Sequence, residues 1–264
     1  MTSATATAAP TPAPAAPTPS PAAPTPQPVL IACAHGTRSP EGQGCIDALR
    51  AEIAAQRPGL TVLAAYVDVQ EPALPDVVAG LPAGTRAVVV PLLLSVGFHV
   101  RVDIAQAVAG REELTAAGPL GPDPRLAKLL YDRLPAGSSE HGGDRERGIV
   151  LAAAGSSDPA AALSVEAVAE ALRHLTDRAV LAGYGAGADP TVAAAVTALR
   201  SQGSSSIAIA SYLLAPGFFH DQLAGAGADC VAAPLLPAGT AVLARIALDR
   251  FDQAAQSEAG PTHS

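Results

Sequence analysis

The chain has 264 residues, of which 49% are hydrophobic and 15% charged, with a formal net charge of −8. That length suits one large domain or two small ones. The acidic balance leaves no basic stripe of the kind that tracks phosphate backbones, which excludes a nucleic-acid partner and means that an anionic substrate must be met by local arginines.

Residues 1–28 are Ala/Pro/Thr-rich. They lack the charged start and continuous apolar run of a secretory signal, and repeated proline forbids helix or sheet, so a disordered tail is expected. Val29–Gly36 reads as a first strand, Cys45–Gln56 as a helix, Thr61–Val67 as a second strand and Ala87–Leu94 as a third. Helices are expected over Ala73–Gly80, Val102–Thr115 and Arg125–Leu134. The strands are apolar throughout instead of alternating, as happens where helices cover both faces. Strand–helix alternation then predicts a parallel sheet in a layered α/β domain.

Pro135–Arg147 is small, polar and charged, and reads as a linker. After it the order returns. Gly148–Pro159 parallels the first strand and its loop, Asp189-Pro190 parallels Glu71-Pro72, Ile207–His220 parallels Val88–His99, and Pro234–Pro237 parallels Pro119–Pro122. The landmarks recur roughly 115–120 residues apart, too long for a solenoid repeat and right for a duplicated domain. The expectation is two duplicated α/β domains, 29–134 and 148–253, each a parallel sheet flanked by helices, with the active site in the cleft between them. Residues 254–264 are expected as a second disordered tail. Aromatics are 3% with no Trp, so packing must rest on small aliphatic side chains. Cys33, Cys45 and Cys230 form no Cys-x-x-Cys, which fits a reducing, cytoplasmic setting and argues against a cysteine-built metal site. No apolar run has the length of a membrane span.

His35 stands at the carboxyl end of the first strand, where open parallel sheets bind ligands. His99 follows the third strand at the same edge. Two neutral imidazoles there suit a divalent iron, cobalt or nickel ion and can move protons near neutral pH; the plainer alternative is two unrelated loop histidines. Glu71, just past the second strand, adds a carboxylate ligand or general base, or is a solvated acid before a helix-starting proline, with Asp68 as the substitute for its role. Arg38 and Arg101 flank the histidines and offer bidentate forks for substrate carboxylates, unless they are surface arginines or, for Arg101, a partner of Asp103. In the second half Ala154 replaces His35, so no equivalent pair exists. His220 roughly matches His99, displaced by the extra Phe of GFFH, and either lends a group to the cleft or packs at a helix start.

Other signals are weaker. Gly183–Gly187 lacks the spacing of a dinucleotide fingerprint, and Gly155-Ser156-Ser157 is no nucleophile elbow. His141, His174 and His263 fall in a linker, a helix and a tail.

The segments AHGTRSPEG, DVQEPALPDVV and PLLLSVGFHVRVDI together resemble the class II tetrapyrrole chelatases, and among them the sirohydrochlorin chelatases in their long, two-domain form. The resemblance is specific over Val29–Leu134 and fainter from Gly148 to about Arg250. It implies that His35 and His99 bind the metal and that Glu71 assists in metal or proton transfer. The implied substrate is sirohydrochlorin, a tetrapyrrole with several carboxylates. It receives Fe2+ on the way to sirohaem or Co2+ on the way to cobalamin, with Ni2+ chemically compatible and no organic cofactor needed. Ala154 then implies one metal site, and internal duplication makes a monomer natural. A histidine phosphatase would need an arginine where Ala34 stands. A metal-delivery protein using the same histidines and a two-lobed small-molecule binder remain as alternatives.

Overall fold

The computed structural model describes residues 27–95, 97–135 and 147–258. Most of the expected N-terminal tail and of the linker therefore falls outside the described residues. In the first half, β1 (Val29–Ala34) lies between β2 (Val62–Tyr66) and β3 (Ala87–Pro91), with the short β4 (Leu114–Ala116) beyond β3. In the second, β5 (Arg147–Ala153) lies between β6 (Ala179–Tyr184) and β7 (Ser206–Tyr212), with β8 (Cys230–Val231) outermost. Every pairing is parallel, in the orders β2-β1-β3-β4 and β6-β5-β7-β8. The expected duplicated α/β architecture is present.

Why the strands read as unbroken apolar runs is visible in the packing. Leu30, Ala32 and Ala34 of β1 face a core that also takes Ile149, Leu151 and Ala153 of β5. Their neighbours Ile31 and Cys33 face an outer core of the first half. Val150 and Ala152 do the same in the second half. Each sheet is buried on both sides, so neither parity of residue is free to be polar.

The helices are α1 (Pro40–Gln56), α2 (Leu74–Ala79), α3 (Phe98–Val108), α4 (Pro124–Tyr131), α5 (Pro159–Arg173), α6 (Val192–Ser201), α7 (Phe218–Leu223) and α8 (Thr240–Glu258). Several boundaries differ from the sequence expectation, α3 starting at Phe98 and α4 ending at Tyr131 among them, and three differences are instructive. First, α1 starts at Pro40 instead of Cys45, because Ser39 caps it by accepting from the Gly42 N–H at 3.2 Å with proline at the first position. Second, the single helix expected over Val102–Thr115 ends at Val108, and Leu114–Ala116 forms β4, where Thr115 pairs with Val88. Third, α8 runs past Ala254 to Glu258, into the expected tail. Leu243, Ala247, Phe251 and Ala254 recur at helical spacing and are all buried, which keeps this stretch folded.

The closing helices of the two halves are exchanged. At the end of the first half, α4 packs on α5 and β7 of the second, while α8 returns to pack on α1, β3 and β4 of the first. Arg57 of the first half forms a two-pronged pair with Asp252 of α8, one prong at 2.7 Å, and its guanidinium lies 5.6 Å from the Phe251 ring centre. Arg133 donates to the Leu235 carbonyl at 2.6 Å. Packing thus departs from the sequence boundaries at Leu134 and Gln253. An amphipathic pattern states that a helix buries one face and is silent on which sheet receives it.

Candidate active site

Both sheets turn their carboxyl ends toward one cavity of about 690 Å³, within the range of small-molecule sites. Residues just past β1 and β3 line it from the first half, and residues past β5 and β7 from the second. Topology therefore puts the pocket where ligands of open parallel sheets bind.

His35 follows β1 directly and is exposed on the cavity wall. Its backbone is fixed by the Asp68 N–H, which donates to the His35 carbonyl at 3.0 Å. Gly36 has φ +97, and a side chain there would lie 2.2 Å from the Asp68 carbonyl oxygen, so only glycine allows this close turn. The second half repeats the device at Gly155, with φ +92 and a would-be Cβ 1.8 Å from the Ala186 oxygen. Beyond Gly36, the Thr37 N–H donates to the Gln70 side-chain oxygen at 2.9 Å and the Gln43 amide donates to the Thr37 carbonyl at 2.8 Å. The loop carrying His35 is thereby tied to both α1 and the loop after β2.

His99 is the second residue of α3, which follows β3, the strand adjacent to β1. Its position on the chain is at the same sheet edge as His35; its side chain lies outside the described residues. Among the described residues, no group of three or more His, Cys, Asp and Glu gathers as a metal site.

Of the other sequence candidates, His220 alone belongs to the described lining of the cavity. Glu71 is exposed, does not line the cavity, and its Oε2 accepts from the Ala73 N–H at 2.8 Å, closing the turn into α2. Asp68 is likewise outside the lining, with Oδ1 accepting from the Val69 N–H at 2.8 Å. Arg38 lies outside the lining as well. Arg101 reaches across the halves, with its guanidinium 3.6 Å from the buried Asp158 carboxylate. His220 does line the cavity, and its Nε2 lies 3.3 Å from the Ala232 carbonyl. His174 is at the end of α5, 3.4 Å from Glu170 and away from the site. His141 and His263 lie outside the described residues.

Several residues at the site escaped the sequence reading. Gln70 braces the His35 loop, and Tyr212 joins the halves by donating from its hydroxyl to the Leu94 carbonyl at 3.1 Å. Burial pushes the Tyr212 phenol well above its ordinary pKa, with the Asp123 charge adding to the effect. Val69, Phe218 and Phe219 supply apolar surface. The correspondence of β7 with β3 was visible in the repeat. That the terminal tyrosine of β7 would reach the other half was not. The GFFH run was visible too, and two adjacent phenylalanines among four in the chain were the available signal. Among the described residues, no Asp, Glu, Lys or Arg lines the cavity. Its polar groups are hydroxyls, amides, two imidazoles and backbone.

An α/β protein with two like domains and a ligand cavity at the carboxyl ends of both sheets is what fold and site define. The profile of the CbiX family matches residues 29–136 and 148–230, and the chain belongs to that family. A sirohydrochlorin cobaltochelatase of Methanosarcina acetivorans is 27% identical over 121 residues, covering 40% of this chain and 92% of that protein. The namesake from Methanothermobacter thermautotrophicus is 27% identical over 128 residues, covering 40% and 89%. Nearly the whole of each relative thus aligns with two-fifths of this chain. Among solved structures, SirB from Bacillus subtilis with Fe3+ superposes with a TM-score of 0.70 at 20% identity, covering 88% of this chain and 98% of that one. The sirohydrochlorin chelatase SirB from Bacillus subtilis subspecies spizizenii in complex with cobalt gives 0.64 at 19% identity, covering 88% and 96%. These two likenesses establish the shared two-domain fold. No helix among the described residues is long and apolar enough to cross a membrane.

Proposed function

We propose that this chain is a sirohydrochlorin chelatase, inserting Co2+ or Fe2+ into the macrocycle in the cavity between its halves. The observation that carries the reading is His35, exposed on the wall of a largely apolar cavity whose described lining holds no Asp, Glu, Lys or Arg, in a member of the CbiX family. A site for a metal ion alone needs no cavity of about 690 Å³, so the size favours an organic substrate over metal delivery.

The reaction exchanges two pyrrole protons for one divalent ion. His35 and His99 hold the incoming ion through neutral imidazoles, leaving coordination positions that the ring nitrogens fill in turn. A closed four-ligand site would retain the metal. As the ion leaves for the ring, the freed imidazoles can accept the departing protons and pass them to solvent. Arg38, beside the His35 loop, meets a substrate carboxylate at the rim. Arg101, engaged with Asp158, holds the halves together over the site and meets a carboxylate only by giving up that partner. Since both walls of the cavity come from one chain, a monomer suffices.

The test is anaerobic absorbance of sirohydrochlorin with Co2+ and, separately, Fe2+, with and without protein. Insertion faster than in buffer for either metal supports the reading. Rates equal to those in buffer for both overturn it, and tight Co2+ binding without turnover then points to metal delivery.

A further inference from the structure

Among the described residues, five large hydrophobic side chains are exposed, and three of them, Val69, Phe218 and Phe219, line the interdomain cavity. Single exposed hydrophobics scattered over a surface are ordinary. Their concentration in one concave site marks a surface meant for an apolar ligand. The two phenylalanine rings are 5.6 Å apart and inclined at 75°. A flat ligand can lie parallel to only one of them and meets the edge of the other, the two favourable aromatic geometries.

Val69 has φ +63, a left-handed conformation that is sterically costly for a β-branched residue. The loops Tyr66–Pro72 and Tyr184–Pro190 have equal length, and the matching residue of the second is Gly187, with φ +68. The second half uses glycine where the backbone demands it, whereas the first keeps a valine that is 47% exposed. Packing within the fold does not account for that side chain, which stands on the cavity wall.

The second half also differs at the positions of both proposed metal ligands. Ala154 matches His35. Counted from the helix caps Gly97 and Gly217, the residue matching His99 is Phe219, not His220. Both Ala154 and Phe219 line the cavity. Gly185 makes room for the ring, since a side chain there would stand 3.1 Å from Phe219 Cδ1. Its counterpart in the first half is Val67.

We propose that the duplicated halves divide the reaction: the first holds the metal, and in the second, where Ala154 and Phe219 stand at the matching positions, Phe219 and its neighbour Phe218 form an aromatic wall that seats the flat conjugated macrocycle, with Val69 completing its apolar seat from the first half. This rests on the chelatase reading above. These three side chains are then the specificity determinants for a planar, π-rich substrate.

The experiment is a metal-free titration of the full chain with sirohydrochlorin, followed by the macrocycle's absorbance and fluorescence. A parallel titration with Co2+ alone is followed by its visible absorbance. Phe219→Leu, which keeps apolar bulk but loses the ring, and Phe218→Ala should each weaken macrocycle binding roughly tenfold and leave Co2+ affinity unchanged. Phe219→Tyr should bind like wild type. Val69→Gly should weaken macrocycle binding without lowering Tm, because glycine accepts the backbone angle. Unchanged macrocycle affinity in the Phe218→Ala/Phe219→Leu double variant overturns the proposal alone. So does an equal loss of Co2+ affinity in that variant. A wild-type chain that binds no sirohydrochlorin overturns the chelatase reading and this proposal with it.

Discussion

Removing one hydroxyl, in Tyr212→Phe, tests whether the two halves act as one body around the cavity. Tyr212 is 2% exposed, and its hydroxyl donates to the Leu94 carbonyl at 3.1 Å across the halves. Leu94 is itself buried, so phenylalanine leaves a buried acceptor unpaired, at a cost of about 1–2 kcal/mol. For a chain of this size that lowers Tm by roughly 2–8 °C. The pH dependence carries a second signature. Burial raises the folded-state phenol pKa above its unfolded value of about 10. The stability it represents is fully present below that pH and is lost as pH rises beyond it. The gap between wild type and Tyr212→Phe should therefore be constant from neutral pH to about 10 and close above it. Cys33, whose thiol burial pushes up to about 12, is common to both proteins and cancels. Thermal unfolding followed by circular dichroism between pH 7 and 11 measures both effects. A Tm unchanged at every pH would refute the reasoning, since it would mean that water replaces the bond freely.

Three further outcomes follow from the geometry. Gly155→Ala puts a Cβ 1.8 Å from the Ala186 oxygen at φ +92 and should cost about 2–4 kcal/mol in denaturant unfolding; a loss below about 1 kcal/mol would contradict the close approach. Phe251→Ala, at a side chain 2% exposed on α8, should cost about 3–5 kcal/mol. Because α8 packs on the first half, hydrogen exchange should quicken at Leu30–Ala34; protection lost in the second half alone would contradict the helix exchange. Glu71→Gln should keep metal insertion within about threefold of wild type, and a loss of about a hundredfold would assign Glu71 the general-base role instead.

Much of this was legible in the residues themselves. Strands buried on both faces leave continuous apolar runs, so β1, β2 and β3 were found within a few residues, and the repeat of landmarks disclosed the second sheet. His35 was marked by its place at a strand end, and its glycine neighbour by the turn that must follow. The short edge strands were missed because three residues, as in Leu114–Ala116, carry no periodicity. Glu71 drew notice as a carboxylate past a strand, but a carboxylate two residues before a backbone N–H also closes turns, and sequence does not distinguish the uses. Phe219 was hidden by alignment on histidine, where counting from the helix cap matches it to His99. The destinations of α4 and α8 depend on tertiary packing that local pattern does not encode.

The central claim is tested most directly by the initial rate of Co2+ insertion into sirohydrochlorin, followed anaerobically by absorbance for wild type, His35→Ala and His99→Ala. The account predicts a wild-type rate well above that in buffer and a fall of about a hundredfold or more in each variant. Variants that turn over as fast as wild type would contradict the histidine pair as the metal site. A wild-type rate no faster than buffer would contradict the chelatase itself.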